Sequence, residues 1–280
     1  MTLLVRDEAD IIRQNVDFHL SRGVDFVIAM DNLSEDGTPA ILRAYERQGC
    51  LRYLLQEEDD YSQGRWVTAM ARMAAREHAA DWVINGDADE FWWPLEGDLK
   101  TVLEAVPADV PAVTVSRTNF VLRATAPEAD FAEAMTLREV RSVNACGRPL
   151  PPKALHRADP EIEVSQGNHD VALDGVPLPT SPAAIEILHF PVRSYAHFAN
   201  KIAKGGAAYG RNTDLNVGVG RTWRTLYEQW KAGDLRAYFD SLVMDEDAAA
   251  AGLCEGTLLE DMRLRDALRE LAGRRGGCPS

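Results

Sequence analysis

Three carboxylates stand together in Trp82-Val83-Ile84-Asn85-Gly86-Asp87-Ala88-Asp89-Glu90-Phe91, directly after a hydrophobic run. Like charges packed this closely repel, so they persist best with a cation or positive side chains among them. Alternate residues at a strand end can point the same way, which lets Asp87 and Asp89 share one ion. Oxygen ligands favour Mg2+ or Mn2+ over softer metals. Such an ion takes up the negative charge that develops on a departing nucleoside diphosphate. An isolated Asp-x-Asp is more simply an acidic turn capping a helix. Its place after a strand, in an alternating pattern of strands and helices, is what points to chemistry.

That pattern runs through the first part of the chain. Thr2 to Val5 reads as a short buried strand, and Ala9 to Arg22 as a helix stopped by Gly23. Asp25 to Met30 predicts a second strand, Thr38 to Gln48 a second helix and Leu51 to Leu55 a third strand. Arg65 to His78 predicts a third helix, and Asp81 to Asn85 a fourth strand that runs into Gly86-Asp87. This alternation implies an α/β fold, a mostly parallel sheet covered by helices on both faces. In such sheets ligands sit at the carboxyl ends of the strands. Ala112 to Ser116 and Glu186 to Phe190 read as further strands and Tyr195 to Ala208 as a helix, with prolines from Pro149 to Pro182 interrupting the pattern. From Thr222 onward the chain reads as helical and amphipathic. The expected division is a nucleotide-sugar-binding, catalytic domain over 1–220 and a helical C-terminal extension over 221–280.

Composition narrows the partners. Among 280 residues, 46% are hydrophobic, enough for a sizeable core. A formal charge of -14 speaks against sequence-independent nucleic-acid binding, which needs a basic surface. An acidic chain that handles an anionic nucleotide must screen the repulsion locally, with a divalent cation or a few placed Arg and Lys. Cys50, Cys146, Cys254 and Cys278 form no Cys-x-x-Cys pair, so neither a zinc cluster nor a disulfide framework is expected, and a reducing cytoplasm fits. No window approaches the roughly 18 uncharged apolar residues of a membrane span. A cytoplasmic location is expected, with contact at the inner face of the membrane still open.

Three blocks resemble the family 2 type glycosyltransferases, in particular the branch whose acidic motif continues as Asp-x-Asp-Glu-Phe. The first runs from Val5-Arg6-Asp7-Glu8-Ala9-Asp10 to Asp31-Asn32-Leu33-Ser34-Glu35-Asp36-Gly37-Thr38, and the second is Trp82 to Phe91. The third is His189-Phe190-Pro191-Val192-Arg193-Ser194-Tyr195, leading through Phe198 to Lys201 and Gly205. The resemblance implies a Rossmann-like fold of the GT-A type, a need for Mn2+ or Mg2+, and inversion at the anomeric carbon. It also implies that Val5, Arg6 and Glu8 line the base pocket, with Asp31 and Asn32 at the second strand end. Asp87 would hold the ribose or the metal, and Asp89 the metal. The family commonly has Asp where Asn32 stands, which leaves the identity of the base open.

Inverting transfer needs a base for the acceptor hydroxyl. The family's base is usually an Asp in a loop well after the metal motif, and Ser165-Gln166-Gly167-Asn168-His169-Asp170 is such a loop, preceded by Lys153-Ala154-Leu155-His156. Asp170 is one candidate, His169 is a second base or a third metal ligand, and Glu90 is a rival beside the metal pair. His189, Arg193 and Lys201 are candidates for the diphosphate. Trp92, Trp93 and Pro94 offer an apolar wall for a sugar ring, whereas His19 and His78 read as structural. The expected reaction is sugar transfer from a nucleotide-sugar donor, UDP-linked in this reading, to a hydroxyl of a glycan or lipid-linked acceptor. A sugar nucleotidyltransferase is the first rival, but it would favour a Gly-rich, basic loop where Arg6-Asp7-Glu8 stands. A non-catalytic nucleotide-sugar-binding module is the second, and metal-dependent donor hydrolysis would exclude it. Oligomeric state is not legible.

Overall fold

The computed structural model of the chain describes residues 1–124, 130–144, 147–216 and 218–276. Strand β1 (Thr2–Val5), helix α1 (Ile12–Ser21), strand β2 (Val27–Asp31), helix α2 (Thr38–Arg47), strand β3 (Leu51–Leu55) and helix α3 (Gln63–His78) alternate. Next come β4 (Trp82–Asp87), β5 (Glu90–Pro94), α4 (Leu99–Glu104), β6 (Ala112–Val115), β7 (Arg117–Asn119), α5 (Phe131–Ala134) and β8 (Leu137–Glu139). Then follow β9 (Lys153–Arg157), β10 (Ile162–Val164), β11 (Val171–Leu173), β12 (Val176–Pro177), β13 (Thr180–Pro182) and β14 (Ile185–His189). The remainder is α6 (Tyr195–Arg211), α7 (Arg221–Ala232), α8 (Leu235–Leu242), α9 (Glu246–Glu255), β15 (Leu258–Glu260) and α10 (Arg263–Gly276).

The chain divides into two compact units, Met1–Arg117 with Leu150–Leu188, and Thr118–Pro149 with His189–Ser280. None of the three crossings between the units falls at residue 220. The first unit holds a seven-stranded sheet in the order β13-β6-β9-β4-β1-β2-β3. Strands β4, β1, β2 and β3 are mutually parallel, while β9 pairs antiparallel with both β4 and β6. Strand β13 is parallel to β6, so β9 alone runs against the others.

Pleating explains why both faces are buried. Along β4, β6 and β9, Val83, Ala112 and Ala154 join a core under α3 with Trp66, Val67 and Met70. Their next neighbours Ile84, Val113 and Leu155 join a second core with Leu99, Val102 and Ile187. Strands buried on both faces read as continuous apolar runs, which made β4 and β6 legible, whereas β9, with Lys153, His156 and Arg157 in it, was not expected.

In the second unit, α6 packs on α7 through two glycines. A Cβ on Gly205 would lie 2.6 Å from the Trp223 ring, and one on Gly206 would lie 2.4 Å from Tyr227. The helical C-terminal stretch is present, with β15 set into it and paired antiparallel to β8. Cys50 and Cys254 are free thiols, and Cys146 and Cys278 lie outside the described residues. No described helix is long and apolar enough to cross a membrane.

Candidate functional site

Strand β4 lies between β1 and β9 and ends at Asp87, so the acidic segment leaves the carboxyl edge of the sheet. The turn that follows is pinned from behind by α1. Asn15, fully buried, donates from Nδ2 to the carbonyls of Ala88 and Glu90, both at 2.9 Å. His19 holds the next residues, its Nε2 accepting from the Trp92 amide at 3.1 Å while Nδ1 meets the Asn15 carbonyl at 2.8 Å. Burial pushes the His19 imidazole down to about 3. The neutral ring is therefore a fixed part of the scaffold.

Two cations sit among the carboxylates. The antiparallel register Ile84↔Leu155 brings Lys153, the first residue of β9, to the carboxyl end of β4. Its Nζ lies 2.6 Å from Asp87 Oδ2 and 3.2 Å from Glu90 Oε1. Arg117 reaches the same Glu90 oxygen at 3.2 Å and also donates to the Pro151 carbonyl. Lys153 is 1% exposed and Glu90 fully buried, whereas the Asp87 side chain is 32% exposed. Burial drives the Glu90 carboxyl up to about 7 against the pull of Lys153. Burial acts to lower the Lys153 ammonium, but Asp87 and Glu90 outweigh it and hold it above its ordinary value. Asp89 is buried, at 3% exposure.

The turn between β10 and β11 completes the surroundings. Gln63 Nε2 and Asn168 Nδ2 each approach Asp87 Oδ1 at 3.4 Å, longer than a good hydrogen bond. The turn is tied to the start of α3 by Gly167 N to Gln63 Oε1 at 3.2 Å and Gly64 N to Gln166 Oε1 at 2.8 Å. Asn168 is 1% exposed, yet its Oδ1 has no hydrogen-bond partner. A buried amide oxygen without a partner and a carboxylate oxygen with only long contacts are hard oxygen donors of the kind that suits a hard cation.

His169 Nδ1 lies 2.9 Å from the Pro152 carbonyl. A carbonyl only accepts, so Nδ1 carries the proton and Nε2 keeps its lone pair. Burial lowers its pKa, which favours the neutral ring. Asp170 is exposed, and its main chain closes the turn through Ser165. No three of Asp87, Asp89, Glu90 and His169 bring ligand atoms within 4.8 Å of one another, so the expected set Asp87, Asp89 and His169 is not a preformed three-ligand cage.

The exits of β1 and β2 are interlocked. Asp7, at φ 54°, donates its amide to Ser34 Oγ at 2.8 Å and accepts from the Glu35 amide at 2.7 Å. The Glu8 amide donates to Thr38 Oγ1 at 2.9 Å. The expected base-pocket residues are largely committed to this architecture. Val5 is 2% and Glu8 6% exposed, and Arg6 pairs with Asp59 at 2.6 Å. Asp31 accepts from the Ser34 amide and from the Tyr53 hydroxyl. Asn32 gives both amide hydrogens to the Gln56 and Glu58 carbonyls, at 3.1 and 2.7 Å.

Arg193 and Lys201 belong to the second unit, where Arg193 is 7% exposed and donates to the Phe190 carbonyl and to His197. His189 meets Asn119 Oδ1 at 2.7 Å. The apolar wall expected of Trp92 to Pro94 is not open. Trp92 and Pro94 are buried, and Trp93 lies against Phe18 with Arg22 over it at 4.8 Å.

Sequence reasoning did not single out Lys153, Arg117, Gln63, Asn168 or Asn15 as site residues. For Lys153 a signal existed: a lysine opening an apolar strand has to find an internal counter-charge.

No protein-family model and no curated protein sequence matches the chain. The chain is similar to crystal structures of TarS from S. aureus. For residues 1–349 of TarS the identity is 12% and the TM-score 0.39, covering 100% of this chain and 92% of that one. For the same fragment in complex with UDP-GlcNAc the identity is 12% and the TM-score 0.40, covering 84% and 73%. Likeness at this level fixes no activity.

Proposed function

We propose that the chain is a metal-dependent glycosyltransferase that moves a sugar from a nucleotide-sugar donor to a hydroxyl of a glycan or lipid-linked acceptor, with inversion. The observation that carries this reading is the divided environment of Asp87 at the end of β4. Oδ2 is held by Lys153, while Oδ1 has only long contacts from Gln63 Nε2 and Asn168 Nδ2, and the other end of that Asn168 amide, its Oδ1, is buried without a hydrogen-bond partner. Mg2+ is typically held by one or two carboxylates plus substrate phosphates rather than by a cage of protein ligands. Asp87, Asp89 and the Asn168 oxygen would hold Mn2+ or Mg2+, which when bound offsets negative charge on the departing diphosphate.

The remaining roles belong to the chain itself. The locked turns after β1 and β2 present Arg6, Glu8, Asp31 and Asn32 at the ligand edge of the sheet and position the base and ribose. His169 takes the acceptor proton at Nε2, its orientation set by the Pro152 carbonyl. Asp170 is the second candidate, exposed on the same turn. Glu90 acts as a charge partner for Lys153 and Arg117, because a fully buried carboxyl does not reach an acceptor hydroxyl.

The test is calorimetric titration of UDP, GDP and their sugars, with and without Mn2+, into wild type and Asp89→Ala. UDP-GlcNAc, the ligand of one TarS structure, is the first donor to try. Mn2+-dependent binding of one nucleotide, lost in the variant, is the expected result. Absence of nucleotide binding under every metal condition would overturn the proposal.

A further inference from the structure

The ion pairs around Asp87 bear on how metal reaches the site. Asp87 faces Lys153 at 2.6 Å, and Glu90 faces both Lys153 and Arg117 at 3.2 Å. Lys153 is 1% and Arg117 10% exposed, so neither has a solvated position to retreat to within its pocket. Asp89 is the remaining carboxylate of the segment, and the four candidate ligand residues do not converge as a three-ligand cage.

We infer that Lys153 is a resident counter-ion that keeps the centre from taking a free divalent cation, so that metal enters only together with a nucleoside diphosphate. This role for Lys153 rests on the transferase reading of the same site. A bare aqua ion would exchange its water for Asp87, Asp89 and the neutral Asn168 side-chain oxygen, while facing a fixed ammonium across the Asp87 carboxylate. Dehydrating a small hard cation for so few charged ligands is unfavourable. A diphosphate changes the balance by bringing its own oxygens and negative charge, and it welcomes Lys153 as a second cation. Lys153 therefore does not touch the metal. It sets the order of arrival by occupying Asp87 Oδ2.

The experiment is Mn2+ binding followed by electron paramagnetic resonance of the free ion, with protein-free UDP as control, and by calorimetry. Wild type is titrated with Mn2+ alone and in the presence of UDP, and Lys153→Met and Lys153→Gln are titrated with Mn2+ alone. Wild type should bind Mn2+ at least tenfold more weakly alone than with UDP. Either variant, once circular dichroism shows it folded, should gain at least tenfold in affinity for Mn2+ alone. Equal Mn2+ affinity of wild type with and without UDP overturns the inference while leaving metal-dependent transfer standing. Folded variants that gain nothing overturn it as well, since something other than Lys153 then excludes the ion. UDP binding that ignores Mn2+ removes the metal-dependent reading and this inference together.

Discussion

Gly167 and His169 show how closely the site depends on single atoms. Gly167 sits at φ 83°, and a Cβ there would lie 2.7 Å from His169 Nε2, the atom assigned to proton removal. Gly167→Ala combines an unfavourable left-handed backbone, about 1–2 kcal/mol, with displacement of the imidazole from its place under the Pro152 carbonyl. The expected outcome is a fall in kcat of roughly tenfold or more, since a small misplacement of a catalytic group is costly. The KM for donor should stay within about twofold, as the ring is not required for donor binding. Steady-state transfer assays that instead show an unchanged kcat would remove His169 from the chemistry. Asn168, next in the turn, also takes a left-handed backbone at φ 60°, a conformation Asn tolerates better than most residues.

At the level of elements, α1 acts as a clamp on the Asp87 to Trp92 turn. Asn15→Ala leaves the Ala88 and Glu90 carbonyls buried without their donor, at about 1–3 kcal/mol for each lost partner. Urea unfolding should show a loss of about 2–6 kcal/mol in total, and donor hydrolysis should fall because the carboxylates lose their fixed spacing. A variant with unchanged urea midpoint would show that α1 is not the clamp. The helix itself was legible from Ile11, Ile12, Val16 and Leu20. Its buried polar face was not, because periodicity marks which positions face inward and says nothing about which carbonyls await them. The same limit applies to β9. Nothing in Lys153 to Arg157 tells whether the strand runs with or against its neighbours, and only the reversed direction puts the lysine beside Asp87. Strands β1, β2 and β4 were readable because double-faced burial leaves a largely apolar run. Asp87 and Asp89 were readable because unscreened acidity after such a run is costly. The compensating cations are distant in sequence, so Lys153 and Arg117 could not be matched to these carboxylates from the chain alone.

For the whole molecule, buried imidazoles tie stability to pH. His156 is fully buried on β9, and burial pushes it down to about 4, as it pushes His19 to about 3. An unfolded chain protonates both near 6.5. Below that pH the unfolded state binds protons that the folded state refuses, so the stability these residues contribute is complete above 6.5 and lost as pH falls toward 4 and 3. Glu90, raised to about 7, acts in the opposite direction across part of this range. The clean measurement is therefore a difference. His156→Gln should lower the slope of unfolding free energy between pH 6 and 4.5 by about 1.4 kcal/mol per pH unit. Denaturant titrations showing parallel slopes for variant and wild type would place His156 in contact with water.

Arg117 is the last residue before the chain leaves the first unit, and Lys153 comes shortly after its return at Leu150. Arg117 also grips the Pro151 carbonyl, next to that point of return. The detour from Thr118 to Pro149 is thus fastened at its neck by the same two cations that neutralise the carboxylates. Closing a long loop carries an entropic cost that some local contact has to offset. Arg117 serves both the neck of the detour and the charge balance of the reaction centre, so its replacement would loosen both at once.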